Sequence, residues 1–429
     1  MGSGSRIKSV FARQVFARQE FSGLGHPAIE TMVTTEEGTS AVAMVTAGFS
    51  VGKHEAHFIF DRGERWGGYG VLKAVSNVIN IIGPALKGID ATKQREVDEI
   101  LIKLDGTPNM SELGANATAS VSAATLKAGA VSLGVPLYQH IGGVSACTLP
   151  VPGVICIDGS DRYGAGKRAG NKPSYSFVCY GFKSFSQASY ACWEVGVELR
   201  RVLSKKFGAD FQIADQKVSR LAPGRVKNDE ELWHAMTEAI ENLEYKNRVG
   251  IQVDVAASAY YDNGKFVGLF SNKDRTREDL IELYKYMVKQ YPFVIFEDPL
   301  DEDDYEGHAI LTKEIGIQIV GDDLFATNSE RLQRGISVGA CSALLVKTPQ
   351  IGTVSQALDV VQLAHGNGYG VVPCGSRGEG PDIADYAVGL NTGQIREGGL
   401  GPTANRLLQI ENELGSNGKF LGKAAIKIG

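Results

Sequence analysis

The spacing of hydrophobic and polar positions changes twice along the 429-residue chain. Residues 6 to about 60 read as strands. From Pro27, PAIETMVTTEEGTSAVAMVTAGFS alternates apolar and polar positions about a central turn, which predicts a β-hairpin. GFSVGKHEA then reads as a Gly-bracketed polar loop. From Tyr69 to about Gly143 the period turns helical: VLKAVSNVINIIGPAL and ATKQREVDEILIKL place apolar residues three and four apart. LGANATASVSAATLKAGAVSLG is rich in alanine and predicts a closely packed helix. Strand structure restarts at Leu149 with LPVPGVICI, after the break at Gly142 and Gly143. These changes put a domain boundary near residue 145, with an N-terminal domain over 1–145 and a second over 146–429.

Beyond the boundary the two periods alternate. Strand-like runs lie near 150–157, 176–180, 211–214, 250–254, 293–297, 317–321, 343–347 and 369–373. Helical runs lie near 184–207, 228–243, 276–290, 328–337 and 353–365. Eight strands with interleaved helices favour a closed α/β barrel over an open doubly wound sheet. Within this region VGIQVDVAAS, YPFVIFEDP, IQIVGDDLFATN and CSALLVKTPQIGT are short apolar runs that stop at Asp254, Glu297, Asp322 and Lys347. Such runs suit parallel strands buried on both faces. A charged residue at the carboxyl end of a barrel strand faces the mouth, where ligands bind. Three carboxylates on neighbouring strands make the hard-oxygen set that Mg²⁺ prefers, and the lysine would face the same mouth.

Composition adds bounds to this picture. The chain is 43% hydrophobic and 22% charged, ordinary for a globular protein, and its formal charge of −5 gives no electrostatic case for nucleic-acid or anionic-membrane partners. The six cysteines form no CxxC and no metal-finger spacing, so they read as buried free thiols in a reducing cytoplasm. The start, MGSGSRIKSV, lacks the apolar core of a signal peptide, and no uninterrupted apolar run reaches 18 residues. A cytoplasmic location is the expectation.

The pieces taken together resemble the enolase family. The likeness is carried by LDGTPN (104–109), LGANA (113–117), GVPLYQHIGG (134–143), LPVP (149–152), DVAAS (254–258), FEDP (296–299), QIVGDDL (318–324) and LLVK (344–347). It continues through QIGT (350–353), IAD (383–385), VGL (388–390) and GQI (393–395). The resemblance implies an N-terminal α+β cap domain followed by an enolase-type (β/α)8 barrel whose first unit runs strand–strand–helix–helix. It implies Asp254, Glu297 and Asp322 as Mg²⁺ ligands, Lys347 as the base that takes the proton next to a carboxylate, and Ser50 as ligand to a second Mg²⁺. A homodimer is implied in the same way.

Several positions depart from the family pattern. Ser176, in YSFV, and Gln216, in ADQKVSRLAP, stand where the resemblance places two glutamates that assist departure of hydroxide. Arg396 replaces the lysine after GQI, and Gly375 replaces a histidine. Ser376-Arg377 reverses an Arg-Ser phosphate-binding pair, and Arg168 lies nearest a lost loop histidine. The metal-binding and proton-abstracting half is thus kept, whereas the hydroxide-expelling half is altered and the phosphate end is rebuilt with Ser376, Arg377, Arg168 and Arg396. On this pattern the chain is expected to be a Mg²⁺-dependent enzyme acting on a 2-phosphoglycerate or phosphoenolpyruvate-type acid. The expected form is a specialised paralogue, such as carboxyphosphonoenolpyruvate synthase of phosphonate natural-product biosynthesis. The alternatives are an ordinary phosphopyruvate hydratase and a non-catalytic enolase-like binding protein.

Overall fold

Strand β1 (Ile7–Phe16) pairs antiparallel with β2 (Pro27–Thr35), and β2 pairs antiparallel with β3 (Ser40–Thr46). This is the expected hairpin with one further strand. The computed structural model describes residues 3–16, 26–48, 51–158, 163, 172–208, 219–220 and 224–429. Alternate residues of β3 (Ala41, Ala43 and Val45) turn into a core shared with helices α1 (Gln94–Asp105) and α2 (Ala115–Ser132). Helix α2 is buried on nearly every side because its alanines and serines let the sheet and neighbouring helices approach closely. Inside the stretch read as strands, residues 51–60 form no strand. Their backbone bonds run elsewhere: Ala56 N donates to Gln350 O at 2.7 Å and His57 N to Asn109 O at 2.7 Å.

The second sheet is the barrel. Its strands are β4 (Val151–Asp158), β5 (Ser174–Cys179), β6 (Val249–Asp254), β7 (Phe293–Glu297), β8 (Gln318–Gly321), β9 (Ala343–Val346), β10 (Gly370–Pro373) and β11 (Gln394–Gly398). Strand β5 runs antiparallel to both β4 and β6, and pairing from β6 through β10 is parallel. Strand β11 pairs parallel with β4, and a bridge between Cys374 and Arg396 brings it to the end of β10, so the ring closes. The architecture is therefore an α+β cap and an enolase-type α/β barrel. The eighth strand of the described barrel is β11, which the spacing did not mark; the run near 211–214 lies outside the described residues.

Period 2 explains how each strand delivers a site residue. Val151, Val178, Ile295, Val320, Ala343, Leu345 and Val372 cluster inside the barrel, while Ile251, Val253, Phe296, Ile319, Leu344, Val346 and Val371 join the layer beneath the helices. One step of two beyond the inner layer come Glu297, Asp322, Lys347 and Cys374. The outer layer holds α3 (Phe185–Phe207), α4 (Glu230–Asn242), α5 (Arg277–Gln290), α6 (Tyr305–Ile315), α7 (Ser329–Val338), α8 (Val354–Gly366), α9 (Ile383–Gly389) and α10 (Gly401–Leu414). Five of these match the helical runs read from the spacing; α6, α9 and α10 were not anticipated.

One of the cap's contacts with the barrel is a buried acid. Asp98 on α1 accepts Ser122 Oγ at 2.5 Å and Ser355 N at 2.8 Å, and Val354 N donates to Ser122 Oγ at 2.9 Å. Two orphan amides at the start of α8 are thereby satisfied from the other side of the interface. The described cysteines are all free thiols, five of them buried. Among the described residues no single helix is long and apolar enough to cross a membrane.

Candidate active site at the barrel mouth

Register sets the carboxylates side by side. Glu297 lies opposite Asp254 in the β6–β7 ladder, and Ser176 lies opposite Gln252 in β5–β6. Asp322 follows the end of β8, and Lys347 follows the end of β9. Asp254, Glu297, Asp322 and Lys347 are all buried. Lys347 Nζ donates to Asp322 Oδ2, and Gln350 Nε2 donates to Asp322 Oδ1 at 2.8 Å. Gln350 is itself held by Thr327 Oγ1 at 2.7 Å, which also accepts the Lys347 backbone N–H at 3.0 Å. The lysine is thus fixed at both its backbone and its ammonium.

Arg396 is the hub of the other half. Its Nε donates to Glu297 Oε2 at 2.6 Å, Nη1 to Ser176 Oγ at 3.1 Å and to Glu397 Oε1 at 3.2 Å, and Nη2 to Asp254 Oδ2 at 3.4 Å. Lys172 donates to the same Asp254 oxygen, and Gln252 Nε2 to Glu297 Oε2 at 3.0 Å. Four carboxylates, Asp254, Glu297, Asp322 and Glu397, therefore face three cations, Lys172, Lys347 and Arg396. Charges this deeply buried persist only when paired.

The donor set fits a divalent cation. Asp254, Glu297 and Asp322 stand at or just beyond the ends of three adjacent strands and carry only hard oxygens, each carboxylate occupied here by Lys172, Lys347 or Arg396. Asp298, Asp322 and Asp323 also bring oxygens within 4.8 Å of one another. In that second group, however, Asp298 accepts Asp322 N at 2.9 Å and Asp323 N at 2.8 Å, so it braces the loop and has less left to offer a cation.

Electrostatics separate the groups. Burial disfavours the Lys347 ammonium, but the Asp322 carboxylate against it prevails and holds the lysine above its ordinary value. The ion pair is direct, which is why the carboxylate outweighs burial. Lys172 goes the other way: burial drives it down, opposed by Glu297 and reinforced by Arg396 and Lys347. Burial raises Glu397 to about 7 against the pull of Arg396 and Lys172. Asp323 also stands at about 7, raised by burial and then by Asp322.

The remaining expected residues divide. Arg377 is buried, its guanidinium paired with Glu55 and its Nη1 3.4 Å from Ser376 Oγ. Its charge is thus matched from the cap loop, where Lys53 N also donates to Glu302 Oε2 at 3.0 Å. Ser50, Arg168 and Gln216 lie outside the described residues. His54 sits 2.8 Å from Asp303, and His57 is exposed. Lys172, Glu55, Gln252, Gln350 and Glu397 were missed by sequence reasoning. The inward alternation of β6 was a usable signal for Gln252; the others sit in turns or irregular backbone that carry no period.

The model described as "Enolase, N-terminal domain" matches residues 7–141, and "Enolase, C-terminal TIM barrel domain" matches 146–428. The enolase of Methanocaldococcus jannaschii is 42% identical over 422 residues, covering 96% of this chain and 97% of that protein. The enolase of Methanopyrus kandleri is 41% identical over 429 residues, covering 97% of each chain. The enolase of Methanococcus aeolicus is 41% identical over 418 residues, covering 95% and 96%. With both domains matched and the barrel mouth built as described, the chain belongs to the enolase family and is an enzyme of the Mg²⁺-dependent lyase type.

Proposed function

We propose that this enzyme is a phosphopyruvate hydratase, converting 2-phosphoglycerate to phosphoenolpyruvate and water. The observation that carries the reading is the Lys347–Asp322 pair, buried in one cluster with Asp254 and Glu297. Relatives matched over nearly the whole chain and named Enolase favour it over the phosphonate-pathway reading.

The chemistry follows from where charge develops. A proton next to a carboxylate is very weakly acidic, since its removal adds negative charge to a group already charged. Asp254, Glu297 and Asp322 would hold Mg²⁺, with Ser50 assigned by resemblance to a second ion, and the metal would supply electrostatic stabilisation to the negative charge that develops on the substrate carboxylate. Lys347 takes the C2 proton, for which its amine must be released from Asp322. Thr327 fixes the Lys347 backbone, and Gln350 holds the Asp322 carboxylate that the amine leaves. Arg396 offers a planar fork between Ser176 and Asp254, suited to an anionic substrate oxygen. Ser376, Arg377 and Arg168 are assigned to the phosphate end.

A second reading rests on Ser176, the hydroxyl that Arg396 holds where the resemblance places an acid. An enzyme altered there enolises the same class of acid but completes a different second half-reaction, as carboxyphosphonoenolpyruvate synthase does. A cytoplasmic homodimer belongs to the same proposal, on family resemblance. The test is ³¹P NMR of the protein with 2-phosphoglycerate and Mg²⁺, with and without phosphonoformate. Phosphoenolpyruvate formed without phosphonoformate supports the hydratase. A phosphonate-bearing enol ester formed only with it supports the second reading, and an unchanged spectrum in both contradicts the two together.

A further inference from the structure

Loss of two glutamates leaves the hydroxide-expelling side without its expected proton donor. Glu397, which neither the resemblance nor the strand pattern singles out, occupies that side. In β11, Gln394 points into the barrel, where Gln318 Nε2 donates to it at 2.8 Å, and Ile395 packs outward beneath the helices. Arg396 points inward again, so strict alternation would turn Glu397 outward. The pairing of β11 with β4 slips between Gln394 and Gly398, and Glu397 adopts a left-handed backbone with φ of 72°. A left-handed conformation costs a non-glycine residue about 1–2 kcal/mol. Bulges of this type re-aim side chains beside active sites. Here the result is a carboxyl group at the mouth, 3.2 Å from the Arg396 Nη1 that also holds Ser176 Oγ at 3.1 Å.

Space and protonation agree with that placement. A cavity of about 220 Å³ opens beside Arg396 and Glu397, bounded by Gly153, Gly375, Ser376 and Gly399. Gly375 stands where the resemblance has a histidine, so the room is made by a side chain that is not there. Burial raises the Glu397 carboxyl to about 7, opposed by Arg396 and Lys172 and reinforced by Glu297 and Asp158, which favours the protonated form that a donor needs.

We propose that Glu397 is the catalytic acid for the leaving group, taking over from the position that Ser176 cannot serve. The inference rests on the hydratase reading. Once the C2 proton is on Lys347, the C2–C3 double bond forms as the C3–O bond breaks. Glu397 gives its proton to the departing hydroxide, leaving as water, and becomes a carboxylate. Lys347 then returns the C2 proton to solvent while Glu397 regains one.

The test uses the full-length protein with Mg²⁺ and 2-phosphoglycerate in D₂O, following C2 deuteration by ¹H NMR and phosphoenolpyruvate by ³¹P NMR. For Glu397→Gln the expected result is C2 exchange near the wild-type rate with phosphoenolpyruvate formation slowed about 10²–10⁴-fold, the usual loss for one positioned acid. Wild-type elimination should fall as pH rises through the neutral range, and the variant should lack that limb. Elimination by Glu397→Gln at the wild-type rate would overturn the assignment, as would equal loss of exchange and elimination, which marks a positioning role. Wild-type protein that neither exchanges nor eliminates would overturn the hydratase reading and this assignment with it.

Discussion

Four side chains share the Arg396 guanidinium: Glu297 at Nε, Ser176 and Glu397 at Nη1, and Asp254 at Nη2. A lysine at this position, as the family pattern has it, could satisfy only part of that set with one ammonium. Arg396→Lys is therefore expected to lower kcat/KM by about 10–100-fold, matching loss of one or two charge-assisted bonds. Steady-state kinetics with 2-phosphoglycerate checks it, and an unchanged value would remove Arg396 from the site. At this scale the sequence was informative wherever chemistry sat at a strand end. Asp254, Glu297, Asp322 and Lys347 each terminate an apolar run, and the structure brings them to one mouth. Lys172 and Glu397 were invisible for a physical reason: one precedes a strand in an irregular turn, and the other depends on a bulge that breaks alternation.

Elements with a clear period were legible, and those without were not. Helix α9 is buried at all seven residues, so it has no polar face to mark it. Strand β11 reads QIREG, with one aliphatic residue, because its inward positions carry Gln394 and Arg396. Helix α6 hides a further polar group, His308, fully buried. Its Nδ1 sits 2.8 Å from Asp304 O, and Nε2 meets no partner among the described residues, which suits the neutral ring. Burial sets its value below the ordinary 6.5. The unfolded chain then binds the extra proton, so stability is full above pH 6.5 and falls as pH drops below it, by up to about 1.4 kcal/mol per pH unit. Urea midpoints of the wild type and His308→Leu across that range should diverge in slope, with the variant flatter; equal slopes would show that His308 does not titrate on unfolding.

The whole molecule depends on the cap holding the barrel mouth in place. Asp98 and Ser122 cap α8, whose start follows the Thr348–Gln350 turn directly after Lys347. Glu55 reaches across to Arg377, and Ala56 N to Gln350 O at 2.7 Å, so the loop read as Gly-bracketed and polar is latched onto the site's own residues. Asp98→Ala leaves the Ser355 amide without its partner and should cost about 1–3 kcal/mol, read as a lower thermal midpoint. No change in midpoint would mean that the interface is held elsewhere. The two-part architecture was legible from the change of period along the chain and from the order of the motifs. The latch was not, because contacts such as Asp98–Ser355 join positions 257 residues apart that share no local pattern.

The central claim is that Lys347, with the carboxylates of Asp254, Glu297 and Asp322, removes the proton next to a substrate carboxylate. The most direct measurement is ¹H NMR of 2-phosphoglycerate in D₂O with Mg²⁺, comparing wild-type protein and Lys347→Ala. Loss of the C2 proton signal is expected with the wild type, and slowing by at least about 10² with the variant. Persistence of the C2 proton with wild-type protein, or equal exchange by both proteins, would contradict it.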